Sequence, residues 1–166
     1  MPHAIGGAFA LAYHAEPRST VDIDVNVFAP TDRWPEIDLA LQPLGVDVAI
    51  DMAALDREGE AQPQWDRNPI HFFFSRDQLH EAMSRATRQV PFGESTLPIV
   101  SAEHILVRKV ILDRAKDWPD IERILDMNHD LDLSEVETWL HRMVGANDPR
   151  IEKLGRVRAG LTRSAH

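Results

Sequence analysis

Apolar and polar residues alternate clearly between Arg18 and Val27. Every second position from Val21 to Val27 is Val or Ile, and the even positions from Arg18 to Asn26 carry Arg, Thr, Asp or Asn. A repeat of two matches the alternation of side chains along a β-strand. The pattern therefore predicts a strand over residues 18–27 with one apolar and one polar face.

The patterning also predicts the elements around this strand. Ala4 and Ile5 are typical of the end of a buried strand, Gly6 and Gly7 interrupt it, and residues 8–14 predict a short helix that ends before Pro17. Further elements are expected as follows: a helix over 34–41 capped by Thr31 or Asp32, strands over 46–50 and 70–74, a helix over 76–86, and strands near 89–92 and 97–100. Residues 52–60 are ambiguous.

The chain beyond residue 100 shows helical periodicity. Ser101 is expected to cap a helix, and the segment DWPD at 117–120 is typical of a helix start with Pro119 in the first turn. Ser134 and Glu137 match a capping box, and a last amphipathic helix is expected over 149–161. We therefore expect an α/β core over residues 1–100 and a helical part over residues 101–166.

Composition and charge exclude several classes of protein. The chain has 166 residues, no cysteine and a formal net charge of −9, which argues against disulfides, thiolate metal sites and a broad DNA-binding surface. No apolar run approaches the ~20 residues that span a bilayer, and no export signal precedes the first strand. These features predict a cytoplasmic protein without membrane contact.

Candidate chemistry lies on the polar face of the alternating strand. Asp22 and Asp24 would share that face with Cα atoms roughly 6.5–7 Å apart, a spacing at which carboxylates bind one or two hard cations together. The turn at Gly6 and Gly7, just before a helix, would allow a phosphate to approach the backbone closely. Carboxylates and a phosphate-binding turn are together what phosphoryl or nucleotidyl transfer requires.

Each feature also has an ordinary structural explanation. A D-x-D pattern is usually a solvated strand face, and a Gly-Gly pair is usually only a turn. His71 could be a core histidine that donates to a backbone carbonyl, Lys109 could extend its charge from an apolar helix face to solvent, and Asp117 could be a helix cap. The histidines show no H-x-x-x-H spacing, and residues 126–132 do not match a calcium-binding loop.

The order of these residues resembles a known superfamily. Gly6-Gly7, a short segment ending at His14, and then R-S-T-V-D-I-D at 18–24 are similar to the nucleotidyltransferase fold of the DNA-polymerase-β superfamily. Within that superfamily, the sequence resembles small bacterial nucleotidyltransferases of the abortive-infection and toxin–antitoxin type. Later matching residues are Ser75 after the strand at 70–74, then Ser101, Glu103, Leu106, Lys109, Arg114, Lys116, Asp117 and Asp120. The resemblance covers residues 4–125.

This resemblance implies a fold, an activity and a set of site residues. The fold would be a mixed-sheet α/β core flanked by helices, with a C-terminal helical segment. The activity would be Mg²⁺-dependent transfer of a nucleoside monophosphate from an NTP to a hydroxyl acceptor, which would be RNA, a protein or a small molecule; an antitoxin would be a possible partner. The implied residues are Asp22 and Asp24 for metal and catalysis, His71 and Lys109 for catalysis, and Gly6, Gly7, Arg18 and Thr20 for the nucleotide.

The sequence departs from the superfamily at one catalytic position. Relatives carry a third carboxylate on a later strand, and His71 occupies the matching position here; His binds metals or accepts protons, yet it is a poorer Mg²⁺ ligand than a carboxylate. Asp47, Asp51 and Asp66 are possible substitutes. Three hypotheses therefore remain: an active nucleotidyltransferase, a catalytically degenerate NTP-binding or partner subunit, and a purely structural α/β protein.

Overall fold

A computed structural model describes residues 1–164 of the chain. The contacts divide the chain into two compact units. The first comprises Met1–Ala10 and Arg18–Val100, and the second comprises Leu11–Pro17 and the chain from Ser101 onward. The first unit holds the strands and the second is helical.

A seven-stranded mixed sheet forms the framework of the first unit. Its strands are β1 (His3–Ile5), β2 (Ile23–Val27), β3 (Glu60–Ala61), β4 (Gln64–Trp65), β5 (Asn68–Phe74), β6 (Arg88–Phe92) and β7 (Ser95–Ile99). The order is β3-β5-β2-β1-β7-β6, and β4 also pairs with β5. The β2–β5 and β1–β7 pairs are parallel, and the others are antiparallel. This arrangement confirms the predicted mixed α/β class.

The apolar face of β2 and β5 carries the core of the first unit. Val25 and Val27 pair in register with Phe72 and Phe74, and these side chains pack with Trp34. The Trp34 ring meets Phe72 edge-on at 5.5 Å between centroids, a favourable aromatic geometry. Burial of this face turns the opposite, polar face of β2 away from the core.

Four helices belong wholly or partly to the first unit: α1 (Gly7–Leu11), α2 (Trp34–Leu41), α3 (Met52–Glu58) and α4 (Gln78–Arg85). The ambiguous segment 52–60 is therefore mainly helical. Asp51 caps α3 by accepting from the Ala53 N–H at 2.9 Å, and Gly59 ends it at a φ of +72°. This helix was missed because its cap and its C-terminal glycine enclose only seven residues.

Several predictions for this unit are wrong in detail. The alternating strand begins at Ile23 rather than at residue 18, and residues 46–50 form only a single bridge between Asp47 and Gln64. Thr31 and Asp32 do not cap α2, because they lie in a 3-10 turn and Thr31 donates to Asp56 instead. The predicted helices over 8–14 and 76–86 are shorter, as α1 and α4 show.

The second unit is built around a buried central helix. Its helices are α5 (Ala102–Leu112), α6 (Trp118–Met127), α7 (Leu133–Val144) and α8 (Pro149–Ser164), and α5 packs against the other three. Ser101 caps α5 as predicted, and Pro119 lies in the first turn of α6. The predicted capping box at Ser134 is wrong, because Asp132 caps α7 by accepting from the Glu135 N–H.

Helix length and polarity also bear on membrane contact. None of the helices between residues 1 and 164 is both long enough and apolar enough to cross a bilayer.

Candidate active site

The polar face of the sheet brings Asp24 and His71 next to each other. Strands β2 and β5 are parallel and in register, with Asp24 opposite His71. Register partners on neighbouring strands project their side chains to the same face. Since Val25 and Phe72 point into the core, Asp24 and His71 share the opposite face. His71 therefore lies next to Asp24 on the polar face, and its role as the third catalytic position remains a prediction.

The Gly6–Gly7 turn is packed tightly against the polar face of β2. The Gly6 N–H donates to the Asp24 carbonyl at 2.8 Å, which ties the turn to the strand. Gly7 has a φ of +54°, and a Cβ there would lie 1.7 Å from Asp24 Oδ2. A side chain at position 7 would therefore occupy the space of the Asp24 carboxylate. The amide of Gly6 is used within the fold, and a role of Gly6 in phosphate binding remains a prediction.

Asn26 supports the same turn and was not singled out by sequence. Its side chain is 1% exposed, and its Nδ2 donates to the Ala4 carbonyl at 3.5 Å. A Cβ at Gly6 would lie 2.7 Å from this Nδ2. The strand pattern placed Asn26 on the polar face, but only tertiary packing shows that this end of the face is buried.

The segment before β2 positions Asp22. The Thr20 hydroxyl accepts from the Asp22 N–H at 3.2 Å and donates to the Asp22 carbonyl at 3.4 Å. These contacts shape the backbone that presents Asp22 just ahead of the strand. Arg18 is exposed, and its Nη1 donates to the Ser19 carbonyl at 3.3 Å.

His71 is oriented by a neighbouring amide. The Gln62 Nε2 lies within hydrogen-bond distance of His71 Nε2, and the Phe73 ring lies 6.2 Å from the imidazole between centroids. A side-chain amide presents either a donor or an acceptor after a flip, so it selects the tautomer of the ring. With the amide nitrogen toward the ring, Gln62 donates to His71 Nε2, and the ring hydrogen lies on Nδ1. Gln62 was also missed by sequence, because it is distant from every motif.

A cavity of about 350 Å³ opens beside His71. It lies at the β3 edge of the sheet, where α3 and the end of β3 flank β5. The lining residues are Ala49, Ile50, Asp51, Ala54, Glu58, Glu60, Ala61, Gln62, His71, Phe72 and Phe73. Three of them are acidic and none is Lys or Arg.

The carboxylates of the site fit a shared magnesium ion. Mg²⁺ takes one or two protein carboxylates and completes its octahedron with water and substrate phosphates. Asp22 and Asp24 supply that number. Among residues 1–164, no three His, Asp or Glu side chains come close enough to hold an ion together. Metal binding by Asp22 and Asp24 remains a prediction.

Lys109 lies in a buried ion-pair cluster of the second unit. Its Nζ contacts Asp117 Oδ1 at 2.8 Å and Asp120 Oδ2 at 2.7 Å, and all three residues are at most 7% exposed. Arg114 and Arg123 contact the remaining oxygens of the two carboxylates at 2.6 and 3.1 Å. Asp117 stands at the N-cap position of α6 but makes no capping hydrogen bond, so the predicted cap is wrong.

The electrostatics of this cluster favour the ionised carboxylate. Burial alone would raise the pKa of Asp117, but hydrogen bonds from Arg114 and Lys109 outweigh it and hold the pKa below its ordinary value. The cluster therefore ties α5 to the start of α6 through charges that remain paired at neutral pH. A catalytic role for Lys109 remains a prediction.

Several solved structures share the fold of this chain. The solution structure of the antibiotic-resistance factor ANT(2'')-Ia is similar with a TM-score of 0.59 at 15% identity, over 96% of this chain and 88% of that chain. The lincomycin-bound lincosamide antibiotic adenylyltransferase LnuA gives a TM-score of 0.52 at 12% identity, over 74% and 84% of the two chains. An antigenic nucleotidyltransferase-like protein from Paracoccidioides brasiliensis gives 0.51 at 16% identity, over 94% and 84%.

Sequence comparison adds nothing to these structural matches. No protein-family model matches the chain, and no curated protein matches it. The mixed sheet, the glycine turn against Asp24 and the three structural neighbours nevertheless agree with the resemblance inferred from the motifs. The chain has the nucleotidyltransferase fold.

Proposed function

We propose that the protein transfers a nucleoside monophosphate from an NTP to a hydroxyl group of an acceptor. The observation that carries this proposal is the contact between the Gly6–Gly7 turn and Asp24, with His71 in register on the next strand. In this proposal the turn would bind phosphate, Asp24 would bind the metal and His71 would accept a proton, all on one sheet face. The neighbour LnuA is an adenylyltransferase by its name, which supports this reaction class.

The strand residues would bind the nucleotide. Asp22 and Asp24 would hold Mg²⁺, which when bound would neutralise charge on the triphosphate and make the α-phosphorus more electrophilic. Gly7 would let the phosphates approach the backbone, because its lack of a side chain leaves the Asp24 carboxylate accessible from the turn. Thr20 would keep Asp22 in position through its two backbone hydrogen bonds.

His71 would accept the proton of the acceptor hydroxyl. The acceptor oxygen forms a bond to the α-phosphorus, the bond to the leaving pyrophosphate breaks, and the hydroxyl proton passes to the imidazole. The products are the nucleotidylated acceptor and pyrophosphate. Gln62 would hold the imidazole in one orientation through its contact with Nε2. A cytoplasmic location remains a prediction from composition, and a toxin role with an antitoxin partner remains a prediction from the resemblance.

Label transfer and nucleotide binding test this proposal. The double variant Asp22→Asn/Asp24→Asn should lose Mg²⁺-dependent NTP binding and transfer of label from α-³²P-NTP to any acceptor. The matched control is Asp126→Asn/Asp130→Asn, which removes two exposed carboxylates of the second unit and should leave binding unchanged. Unchanged binding in the Asp22/Asp24 variant would refute the proposal.

A second function is favoured by the histidine at position 71. Because the described residues hold no three-donor metal cluster, a protein that binds NTP and Mg²⁺ without chemistry is consistent with the same fold. Such a protein would act as a nucleotide-binding or partner subunit. Saturable NTP binding with no label transfer to RNA, protein or small hydroxylated molecules would establish this alternative over the first.

A further inference from the structure

The Gln62 side chain lies opposite His71 on the polar face of the sheet. Ala61 pairs with Phe72 in the antiparallel register of β3 and β5, so the next residue, Gln62, comes opposite His71. His71 in turn pairs with Asp24 on β2. Asp24, His71 and Gln62 therefore form one row across three neighbouring segments of the sheet, with the imidazole in the middle.

The contact between Gln62 and His71 determines which ring nitrogen carries the hydrogen. The Gln62 Nε2 lies within hydrogen-bond distance of His71 Nε2. An amide nitrogen donates and does not accept, whereas a neutral imidazole has its hydrogen on one nitrogen and its lone pair on the other. The amide therefore donates to Nε2, and the ring hydrogen lies on Nδ1. The nitrogen that is able to accept a proton is thus the nitrogen that the amide occupies.

The backbone on both sides of Gln62 is held in the sheet, whereas the residue itself is exposed. Strand β3 pairs with β5 as far as Ala61, and the Pro63 carbonyl accepts from the Ile70 N–H at 2.9 Å. Gln62 is exposed to solvent, and exposed side chains change rotamer within nanoseconds. The amide can therefore leave Nε2 without any change in the pairing of the strands.

We propose that Gln62 is a positioning residue that acts through His71, by holding Nε2 in a hydrogen bond that the acceptor hydroxyl must replace. The inference rests on the proposed nucleotidyl transfer and adds a step before it. The amide N–H leaves the Nε2 lone pair, and the acceptor O–H donates to that lone pair instead. The hydroxyl proton then passes to Nε2 as its oxygen bonds to the α-phosphorus. Gln62 therefore limits the fraction of time for which Nε2 is available to the hydroxyl.

Nitrogen NMR of the imidazole tests the contact in the absence of nucleotide. In protein with ¹⁵N-labelled histidine at about pH 8, where imidazole is largely neutral, His71 should show its hydrogen on Nδ1 and its lone pair on Nε2. The signals that disappear in His71→Asn assign the ring. Gln62→Glu presents only acceptors, so the ring hydrogen should move to Nε2. A hydrogen on Nε2 in the unaltered protein, or no change in Gln62→Glu, would overturn the inference.

Turnover of α-³²P-labelled NTPs, with Mg²⁺ and glycerol as the hydroxyl probe, tests the role of the contact in transfer. Gln62→Leu keeps an elongated side chain without the donor, so kcat should rise about three- to tenfold, the factor that one neutral hydrogen bond represents, with KM for NTP unchanged. Gln62→Glu should lower kcat, because Nε2 then carries the hydrogen. The matched control is Gln64→Leu, since Gln64 is exposed and donates to the Asp66 carbonyl at 3.2 Å; it should retain the unaltered rate.

The outcomes separate this inference from the proposed function. Turnover that is unchanged in Gln62→Leu would show that the amide does not compete with the hydroxyl for Nε2. Turnover that falls in Gln62→Leu would show that the reaction needs the contact. Either result overturns the inference and leaves nucleotidyl transfer standing. Absence of turnover in the unaltered protein and in every variant would refute the proposed transfer and, with it, the role of Gln62 in the reaction.

Discussion

At the scale of single residues, the site depends on the absence of a side chain at position 7. Gly7 combines a positive φ with direct contact to Asp24, so any larger residue would meet both backbone strain and the carboxylate. Gly45 also has a positive φ, of +68°, but nothing lies within 4 Å of the space a Cβ would occupy. A comparison of substitutions at Gly7 and Gly45 therefore separates the free-energy cost of a positive φ from the cost of a clash with Asp24.

Gly7→Ala should abolish Mg²⁺-dependent NTP binding, whereas Gly45→Ala should leave it intact. Gly45→Ala should lower the free energy of unfolding by about 1 kcal/mol, the usual cost of a left-handed backbone with a side chain. Gly7→Ala should cost more, because the Asp24 side chain must also move. Isothermal titration and urea denaturation measure the two effects, and equal nucleotide binding by both variants would show that the turn does not approach the nucleotide.

Asn26 is expected to act as a positioning residue for the glycine turn. Asn26→Ala removes the buried amide that contacts the Ala4 carbonyl and the backbone at Gly6, which should lower the free energy of unfolding by about 1–2 kcal/mol. With a looser turn, KM for NTP should rise more than kcat falls. The exposed Asn147 provides the control Asn147→Ala, and a fall in kcat alone would argue against a positioning role.

A carboxylate at position 71 should strengthen metal binding. His71→Asp would place a hard oxygen ligand in register with Asp24, and Mg²⁺ prefers such ligands to imidazole. We expect the apparent affinity for Mg²⁺ in the presence of NTP to rise roughly tenfold. Titration of Mg²⁺ against bound NTP measures it, with Asp22→Asn/Asp24→Asn as the inactive reference; a loss of affinity would mean that position 71 does not face the metal.

At the scale of secondary-structure elements, the strands with strong alternation and the long helices were predictable. The spacing of apolar residues alone predicts the central part of β2, the buried strand β5 and helices α5 to α8. The segments whose structure differs from the prediction make tertiary contacts that outweigh the local pattern of apolar and polar residues. Val46 and Val48 pack in the core of the first unit without forming a strand, because an apolar segment can be buried as a loop when its backbone pairs only once.

The site was predictable in its motifs and not in its supporting residues. Asp24 and the glycines were singled out by their spacing and His71 by the resemblance, and the structure brings them close to one another. Asn26, Gln62 and the carboxylates of the cavity wall come from strands, turns and a helix that are distant along the chain. Their proximity depends on sheet order, which a single sequence does not encode in any local pattern.

The ion pairs that join α5 and α6 should be essential for the stability of the second unit. Lys109→Met would leave Asp117 and Asp120 buried at 1% exposure without their central cation. Loss of one partner from a buried ion pair costs about 3–5 kcal/mol, and we expect a value near the lower limit because Arg114 and Arg123 remain. Urea denaturation followed by far-UV circular dichroism measures the loss.

An exposed pair provides the comparison for Lys109. Arg156→Met removes a surface ion pair with Glu152 and should change the free energy of unfolding by less than about 1 kcal/mol. The variant Lys109→Met/Asp117→Asn should recover part of the stability, because one buried charge is removed with its partner. If Lys109→Met instead remains stable and loses NTP binding, the buried cluster is dispensable and the residue serves the nucleotide.

At the scale of the whole molecule, buried His104 should make stability depend on pH near neutrality. The side chain is fully buried on α5, where its Nδ1 lies 2.9 Å from the Ser101 hydroxyl and its Nε2 lies 3.8 Å from Glu135 on α7. Burial lowers the pKa of His104, although the charge of Glu103 partly opposes the shift. Burial also raises the pKa of the facing Glu135 carboxyl.

The direction of the pH effect follows from proton linkage. As the pH falls below about 6.5, the ordinary pKa of His, the unfolded chain binds a proton that the folded His104 does not, so the free energy of unfolding decreases. The loss from one such group approaches about 1.4 kcal/mol per pH unit. The lowered pKa of Asp117 adds a second loss only below about pH 4. The raised pKa of Glu135 opposes the His104 loss toward the acidic end of the range, because the folded carboxyl takes up a proton before the unfolded one does.

Urea denaturation at steps from pH 7.5 to 4.5 tests this assignment. His104→Asn keeps a polar side chain toward Ser101 and removes the titrating group, so its free energy of unfolding should fall less steeply below pH 6.5 than that of the unaltered protein. His129→Asn removes an exposed histidine and should follow the unaltered profile. A profile of His104→Asn that coincides with the control would mean that the acid sensitivity arises from other groups.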